Sequence, residues 1–238
     1  MAIFFVSDVH LSSAQSQIAS AFFTFLSSLS EKAEKLFILG DLFETWIGDD
    51  DPCELAVTTQ LRLRDLTLKG TELFIQHGNR DFLLGRRFMK LTGATLIHDY
   101  HVIETYNQRV LLMHGDLLCS NDRDYQAFRK KTRRPIFRWI LRNLPLSKRQ
   151  EMAAKWRTET TRQSSHKPPS MMDVSHKTVE RVMSKTSAET LVHGHTHSPA
   201  RHKLEPSMKE RIVLGDWSSH GWALKLDRGG FNLYSFKI

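Results

Sequence analysis

The sequence predicts an α/β fold, a sheet of buried strands with helices layered on both sides, and three observations carry that prediction. Short apolar runs rich in β-branched residues recur along the chain. Most of them stop at a turn that combines glycine with a metal-binding residue type. Helix-length segments separate the early runs. Continuous apolar runs bounded by turn residues read as strands buried on both faces. Their alternation with helices reads as an α/β sheet.

The runs follow in order. Ile3-Phe4-Phe5-Val6 leads into Ser7-Asp8-Val9-His10, and Leu36-Phe37-Ile38-Leu39 into Gly40-Asp41. Leu73-Phe74-Ile75 leads through Gln76 and His77 to Gly78-Asn79. Val110-Leu111-Leu112-Met113 runs into His114-Gly115-Asp116, and Leu191-Val192 into His193-Gly194-His195-Thr196-His197. Ile212-Val213-Leu214 ends at Gly215-Asp216. Ser16 to Glu34 and Glu54 to Lys69 read as helices. At the C-terminus, Trp222 to Leu226 and Phe231 to Phe236 flank Asp227-Arg228-Gly229-Gly230, a hairpin pattern. Sheets of this class bind ligands beyond the carboxyl ends of their strands. Asp8, His10, Asp41, Asn79, His114, His195 and His197 all stand at that end, and they form the candidate metal site.

Imidazole with carboxylate and no thiolate suits ions such as Mn, Fe or Zn. A carboxylate such as Asp41 can bridge two of them. Two ions about 3.5–4 Å apart clamp the attacking and leaving oxygens of a phosphoryl group and activate water. His77, His98, His101, His166, His176, His202 and His220 read instead as packing or surface residues, and His193 as a hydrogen-bonded core residue.

The 238 residues read as a single domain over 1–238, with an insertion at about 123–170. A net charge of +8 and a pI near 9.6 point to an anionic partner. The start, MAIFFVSDVH, lacks the pattern of a secretory leader, and no run approaches the roughly 20 apolar residues of a spanning helix. Cys53 and Cys119 make no disulfide framework and fit a reducing cytoplasm.

Taken in order, D-x-H at Asp8–His10, G-D at Gly40–Asp41, G-N-x-D at Gly78–Asp81, H-G-D at His114–Asp116 and G-H-T-H at Gly194–His197 resemble the calcineurin-like metallophosphoesterases. The resemblance implies a four-layer αββα sandwich with an inserted helical lid, and two Mn²⁺ per chain. It implies that Asp8, His10, Asp41 and His197 hold one ion, and Asp41, Asn79, His114 and His195 the other. More narrowly, the stretch from Asp41 to Asp50, the G-N-R-D form at 78–81 and the stretch from His114 to Asp122 resemble the UDP-2,3-diacylglucosamine pyrophosphohydrolases of lipid A biosynthesis. That likeness implies water attack at the α-phosphorus, giving UMP and 2,3-diacylglucosamine 1-phosphate (lipid X). It implies Asn79 and Arg80 as catalytic residues. Asn79, Arg80, Asp122, Thr160, Ser164, Lys167 and His195 become the substrate contacts. The alternative is another dinuclear phosphoesterase, such as a nuclease or nucleoside-polyphosphate hydrolase.

One position departs from the broad family. Where many relatives carry a histidine able to protonate an alkoxide, this chain has Arg80. Arginine stays protonated and is a poor general acid. It suits a phosphate leaving group, whose charge it can stabilise.

From Arg123 to Lys167 there are fourteen Lys or Arg against three acids, a surplus of +11, so the rest of the chain is slightly acidic. Phe128, Ile136, Phe137, Trp139, Ile140 and Trp156 are interleaved with them. Two or three short helices are expected, punctuated by Pro135 and Pro145 and closed by Pro168-Pro169. Basic residues mixed with aromatics suggest a cover over an amphipathic substrate that rests on anionic lipid. Arg133, Arg134 and Arg138 are expected on that lipid-facing side. The implied partners are a lipid-linked sugar nucleotide and an anionic membrane surface, with no nucleic acid and no obligate protein partner. The implied location is the cytoplasmic side of the bacterial inner membrane, held peripherally.

Overall fold

In the computed structural model, residues 2–166, 173–206 and 208–238 are described. Two sheets face each other. The first has the order β11-β10-β1-β2-β3-β4, and the second β5-β6-β7-β9-β8. In the first, β1 (Ala2–Val6), β2 (Ala33–Leu39), β3 (Glu72–Gln76) and β4 (Thr95–Ile97) run parallel, and β10 (His220–Asp227) and β11 (Gly230–Lys237) close one edge antiparallel. In the second, β6 (Gln108–Met113), β7 (Thr190–His193) and β9 (Lys209–Val213) are parallel. Its edges, β5 (His101–Thr105) and β8 (Ala200–Leu204), are antiparallel.

Side chains alternate across a strand, and in β1 both faces are covered. Ile3 and Phe5 point between the sheets, where they meet Phe37, Leu39, Val110, Leu112, Val192 and Ile212. Phe4 and Val6 point outward, into the layer of helices. That is why β1 is apolar without interruption. The outer layer on this side is α1 (Ser16–Leu29), α2 (Glu54–Leu68) and α3 (Arg86–Thr92). Helix α1 buries Ile18, Ala19, Phe22, Phe25, Leu26 and Leu29, the stripe of a one-sided helix. On the far side α7 (His176–Thr186) covers the second sheet with Val179, Val182 and Met183. The four layers are therefore α, β, β, α, as expected.

Two sequence readings shift. Helix α1 ends at Leu29 rather than Glu34, because Ala33 already pairs with Ala2 and Glu31 turns the chain with φ 66°. The C-terminal hairpin is tighter than read. Asp227 pairs with Gly230, so the connection is only Arg228-Gly229, and Asp227 Oδ1 accepts from the Gly229 N–H at 2.8 Å. Between β6 and β7 the chain makes a 3₁₀ turn at Asp116–Leu118. It then forms α4 (Arg123–Thr132), α5 (Pro135–Asn143) and α6 (Leu146–His166) before reaching α7. Pro135 opens α5 at its first turn, where its missing N–H costs nothing. The expected short helices are present, but the third, at 21 residues, is long. Pro168-Pro169 lies outside the described residues.

Candidate active site

The seven candidate ligands stand on the loops after β1, β2, β3, β6 and β7. Five of them occupy left-handed backbone: Asp8 (φ 53°), His10 (53°), Asp41 (52°), His195 (70°) and His197 (52°). Non-glycine residues adopt that region at a cost of roughly 1–3 kcal/mol each, and such strain clusters at functional sites. The turn aims each side chain away from the strand axis and into one shared space. Glycine is required where these loops touch. A Cβ on Gly78 would fall on Asp41 Oδ1, and one on Gly194 on Asp8 Oδ2.

Two groups of donor atoms result, each lying within 4.8 Å: Asp8 with His10 and His197, and Asp8 with Asp41 and His114. His197 Nε2 is 3.4 Å from Asp8 Oδ1 and 3.3 Å from His10 Nε2. His114 Nε2 is 3.8 Å from Asp41 Oδ2 and 3.0 Å from Asn79 Oδ1. The His195 ring lies 5.0 Å from that of His114, and its backbone N–H donates to Asp8 Oδ2 at 2.9 Å. All seven side chains therefore converge. Asp8 is the carboxylate common to both groups. Asp41, expected to bridge, belongs to the second, and its Oδ1 accepts from the Arg80 N–H at 2.8 Å.

Neighbouring groups fix the imidazoles. His10 Nδ1 pairs with the Glu44 carboxylate at 2.9 Å, and His114 Nδ1–H donates to the Leu39 carbonyl at 2.9 Å. In both rings Nε2 is left facing the centre, as a metal-binding histidine requires. Asp81 joins the β2 and β3 loops by accepting from the Leu42 and Gly78 N–H groups, both at 2.8 Å. Charge is concentrated here. Burial alone would lower the His10 pKa, but the Glu44 hydrogen bond and the Asp41 and Asp8 carboxylates raise it to about 9. Burial would raise that of Asp8, yet the surrounding imidazoles hold it well below the usual carboxylate range. Burial, with the charge on His114, pushes His195 down to about 4.

This donor set fits divalent cations. Asp8 Oδ1 is fully buried and receives no hydrogen bond of normal geometry. A buried anionic oxygen without a donor is costly unless a cation compensates it. His193 is not a ligand. Its Nδ1–H donates to the Gly194 carbonyl at 2.8 Å, and its Nε2 accepts from Arg211 at 3.2 Å. Burial, with the Arg211 charge, holds it neutral at about 3.

From the ligands a cavity of about 650 Å³ extends under α4, α5 and α6. Phe82, Leu83, Phe128, Leu141, Met152 and Trp156 give it apolar walls. Arg80 lines its inner end, with Nη1 3.7 Å from Glu44 Oε1, and Arg157 of α6 reaches the same oxygen at 3.1 Å. Asp122 also lines the cavity, and its carboxylate caps α4 by accepting from the Tyr125 N–H at 3.1 Å. Trp46 packs edge-on to Phe88 and donates to Asp49 at 3.1 Å. The side chains of Thr160 and Ser164, and Lys167 entirely, lie outside the described residues.

Arg133, expected on the lipid-facing side, faces inward instead. Arg133 donates to the Gly78 carbonyl at 2.6 Å and covers the Phe82 ring at 4.9 Å. Three residues went unassigned in the sequence: Glu44, Arg157 and Tyr125. Tyr125 donates to Asp116 at 2.7 Å and sets its ring 6.0 Å from that of His195. Glu44 had a signal, its place three residues past Asp41 on a ligand-bearing loop. Tyr125 and Arg157 had none beyond composition.

The chain is similar to known proteins over its whole length. A UDP-2,3-diacylglucosamine hydrolase of Pseudomonas fluorescens strain Pf-5 is 46% identical over 98% of this chain and 94% of its own. Those of Azotobacter vinelandii and Pseudomonas aeruginosa PAO1 are each 43% identical over the full length of both chains. Among solved structures, a novel archaeal phosphodiesterase superposes over 100% of both chains with a TM-score of 0.50 at 12% identity, a likeness of fold alone. The calcineurin-like phosphoesterase model matches residues 1–199. That span takes in every loop on which the candidate ligands stand, and the chain belongs to the calcineurin-like phosphoesterase family.

Proposed function

We propose that this protein hydrolyses the diphosphate of UDP-2,3-diacylglucosamine in lipid A biosynthesis, with water attacking the α-phosphorus to give UMP and 2,3-diacylglucosamine 1-phosphate. The observation that carries the reading is an apolar-walled cavity of about 650 Å³ opening directly from the ligand cluster and Arg80, in a chain 46% identical to a protein of that name. A volume of this order suits a large amphipathic ligand. Burying acyl carbon contributes about 0.8 kcal/mol per CH₂, which offsets removal of a chain from lipid.

In this reading Asp8, His10, Asp41 and His197 hold one Mn²⁺, and Asp41, Asn79, His114 and His195 the other. Bound divalent ions supply Lewis acidity and water of lowered pKa. The protein does the rest. Arg80 stabilises negative charge on the diphosphate and on the departing phosphate, without giving up a proton. Glu44 holds the His10 ring in place. The helices α4 to α6 keep water from the acyl end.

Peripheral attachment to the inner membrane belongs to the same proposal. On α5, Ile136, Trp139 and Ile140 are 74%, 66% and 45% exposed, at the spacing of one helix face. Lys130, Lys131 and Arg134 are exposed nearby. Such a face suits insertion into anionic lipid. Among the described residues no helix is long and apolar enough to cross a membrane.

The experiment is turnover of UDP-2,3-diacylglucosamine by purified protein with Mn²⁺ in ¹⁸O-water. Label in UMP supports the reading. Label in the sugar phosphate reverses the placement of substrate, and cleavage of DNA in preference to the lipid overturns the proposal.

A further inference from the structure

A second, smaller cavity of about 230 Å³ adjoins the first. Glu44, Thr45, Trp46 and Arg157 line both. The small cavity differs in chemistry. Its floor is Leu11, Phe43, Leu55 and Ala56, and its rim carries Ser12, Ser13 and Asp51. Ser12 and Ser13 follow His10 directly, and Asp51 lies just before α2. We infer that this cavity is the nucleoside subsite, receiving the uridine end of the substrate while the large cavity receives the acylated sugar. The inference rests on the functional reading above and extends it.

The substrate proposed there has a diphosphate between two chemically opposite ends. With the diphosphate at the ligand cluster and Arg80, each end needs its own exit. The large cavity has apolar walls suited to acyl chains. The small one is too confined for two chains but admits one nucleoside. Its groups complement uridine. Uracil offers two carbonyl acceptors and one N–H donor, and a serine hydroxyl both donates and accepts. The Ser12 hydroxyl oxygen accepts only from the Ala14 N–H at 3.3 Å, which leaves its proton to donate. A ribose diol is a pair of donors, and a carboxylate is the acceptor that suits it. Asp51 Oδ1 is occupied by the Cys53 N–H at 3.2 Å, whereas Oδ2 makes no hydrogen bond among the described residues.

The test uses Mn²⁺-loaded full-length protein and calorimetric binding of UMP, 2′,3′-dideoxy-UMP and 2,3-diacylglucosamine 1-phosphate. Wild type is expected to bind UMP about tenfold more tightly than the dideoxy analogue, the usual strength of a hydrogen bond to a charged group. In Asp51→Asn that preference should disappear, while affinity for the lipid product stays within about twofold. Asparagine keeps the oxygen that accepts from Cys53, so this variant retains the local fold. Ser13→Phe, at an exposed position, should fill the cavity and weaken UMP about tenfold without weakening the lipid product. Equal loss for both nucleotides in Asp51→Asn, or unchanged UMP binding in Ser13→Phe, overturns the subsite but leaves the functional reading standing. Failure of wild type to hydrolyse UDP-2,3-diacylglucosamine overturns both.

Discussion

In the strand-end loops five candidate ligands sit in left-handed backbone, held by β1, β2 and β7, whose last residues are buried. In α4 and α5 the buried residues are Arg129, Thr132 and Leu141, and the rest is half-buried or exposed. The loops are fixed by close packing, with no room for a Cβ where they touch. The inserted helices are fixed by arginines. Arg133 reaches the Gly78 carbonyl, Arg142 the Leu83 carbonyl at 3.3 Å, Arg149 the Ile47 carbonyl at 2.8 Å, and Arg157 the Glu44 carboxylate. Packing gives the ligands positional accuracy. Arginine clamps hold a wall that has little core of its own.

The comparison is tested most severely at the ligands. Asp8→Ala removes the carboxylate common to both donor groups. Turnover should fall by orders of magnitude and the bound metal measured by atomic emission should drop, with the circular dichroism spectrum unchanged. Retained metal would show that Asp8 holds neither ion. Arg80→Ala should cut kcat by about 10²–10³ while metal content is unchanged, the scale of losing one charge-stabilising donor. Arg80→His should not restore it, and full rescue would assign Arg80 to proton transfer. Arg149→Ala loosens only a clamp, which also engages Asp50 at 2.7 Å. It should raise KM by about tenfold with kcat and metal content near normal. A matching loss of kcat would mean that the insertion shapes the centre itself.

The smallest effect concerns pH. Burial, with the Arg133 charge, holds His77 neutral at about 3, its Nε2–H donating to the Leu84 carbonyl at 2.8 Å. In the unfolded chain an ordinary imidazole titrates near 6.5. Below about pH 6.5 the unfolded state therefore binds a proton that the folded state refuses, and stability falls as pH falls toward 3. The loss is at most about 1.4 kcal/mol per pH unit for this group. Urea unfolding of metal-free protein across pH 7 to 5 should show a shallower slope for His77→Gln than for wild type.

The two regions also differ in how far the sequence revealed them. The convergence of the candidate ligands was legible because its signal is short-range. Asp41 or His114 follows an apolar run, and a run that short, bounded by turn residues, reads as an interior strand delivering the next residues to the carboxyl end of the sheet. Edge strands were not legible. Arg201-His202-Lys203 in β8 is exposed, so no alternation marks it. The insertion was legible as basic helices but not in its orientation. Arg133 and Arg134 are neighbours of one residue type, yet the first is bound inside and the second exposed. Tertiary contacts decide which way each faces, and a composition count treats them alike.

Glu44 joins the two regions. One carboxylate receives His10 on one oxygen and Arg80 and Arg157 on the other. Interactions that share a partner are thermodynamically linked, and the linkage runs equally in both directions. Whatever immobilises His10 also settles the carboxylate and so favours the docked position of α6. Whatever docks α6 in turn steadies His10. A change at His10 is therefore felt at α6 and a change at α6 at His10, so removal of bound ions is expected to weaken the hold of Arg157 on Glu44.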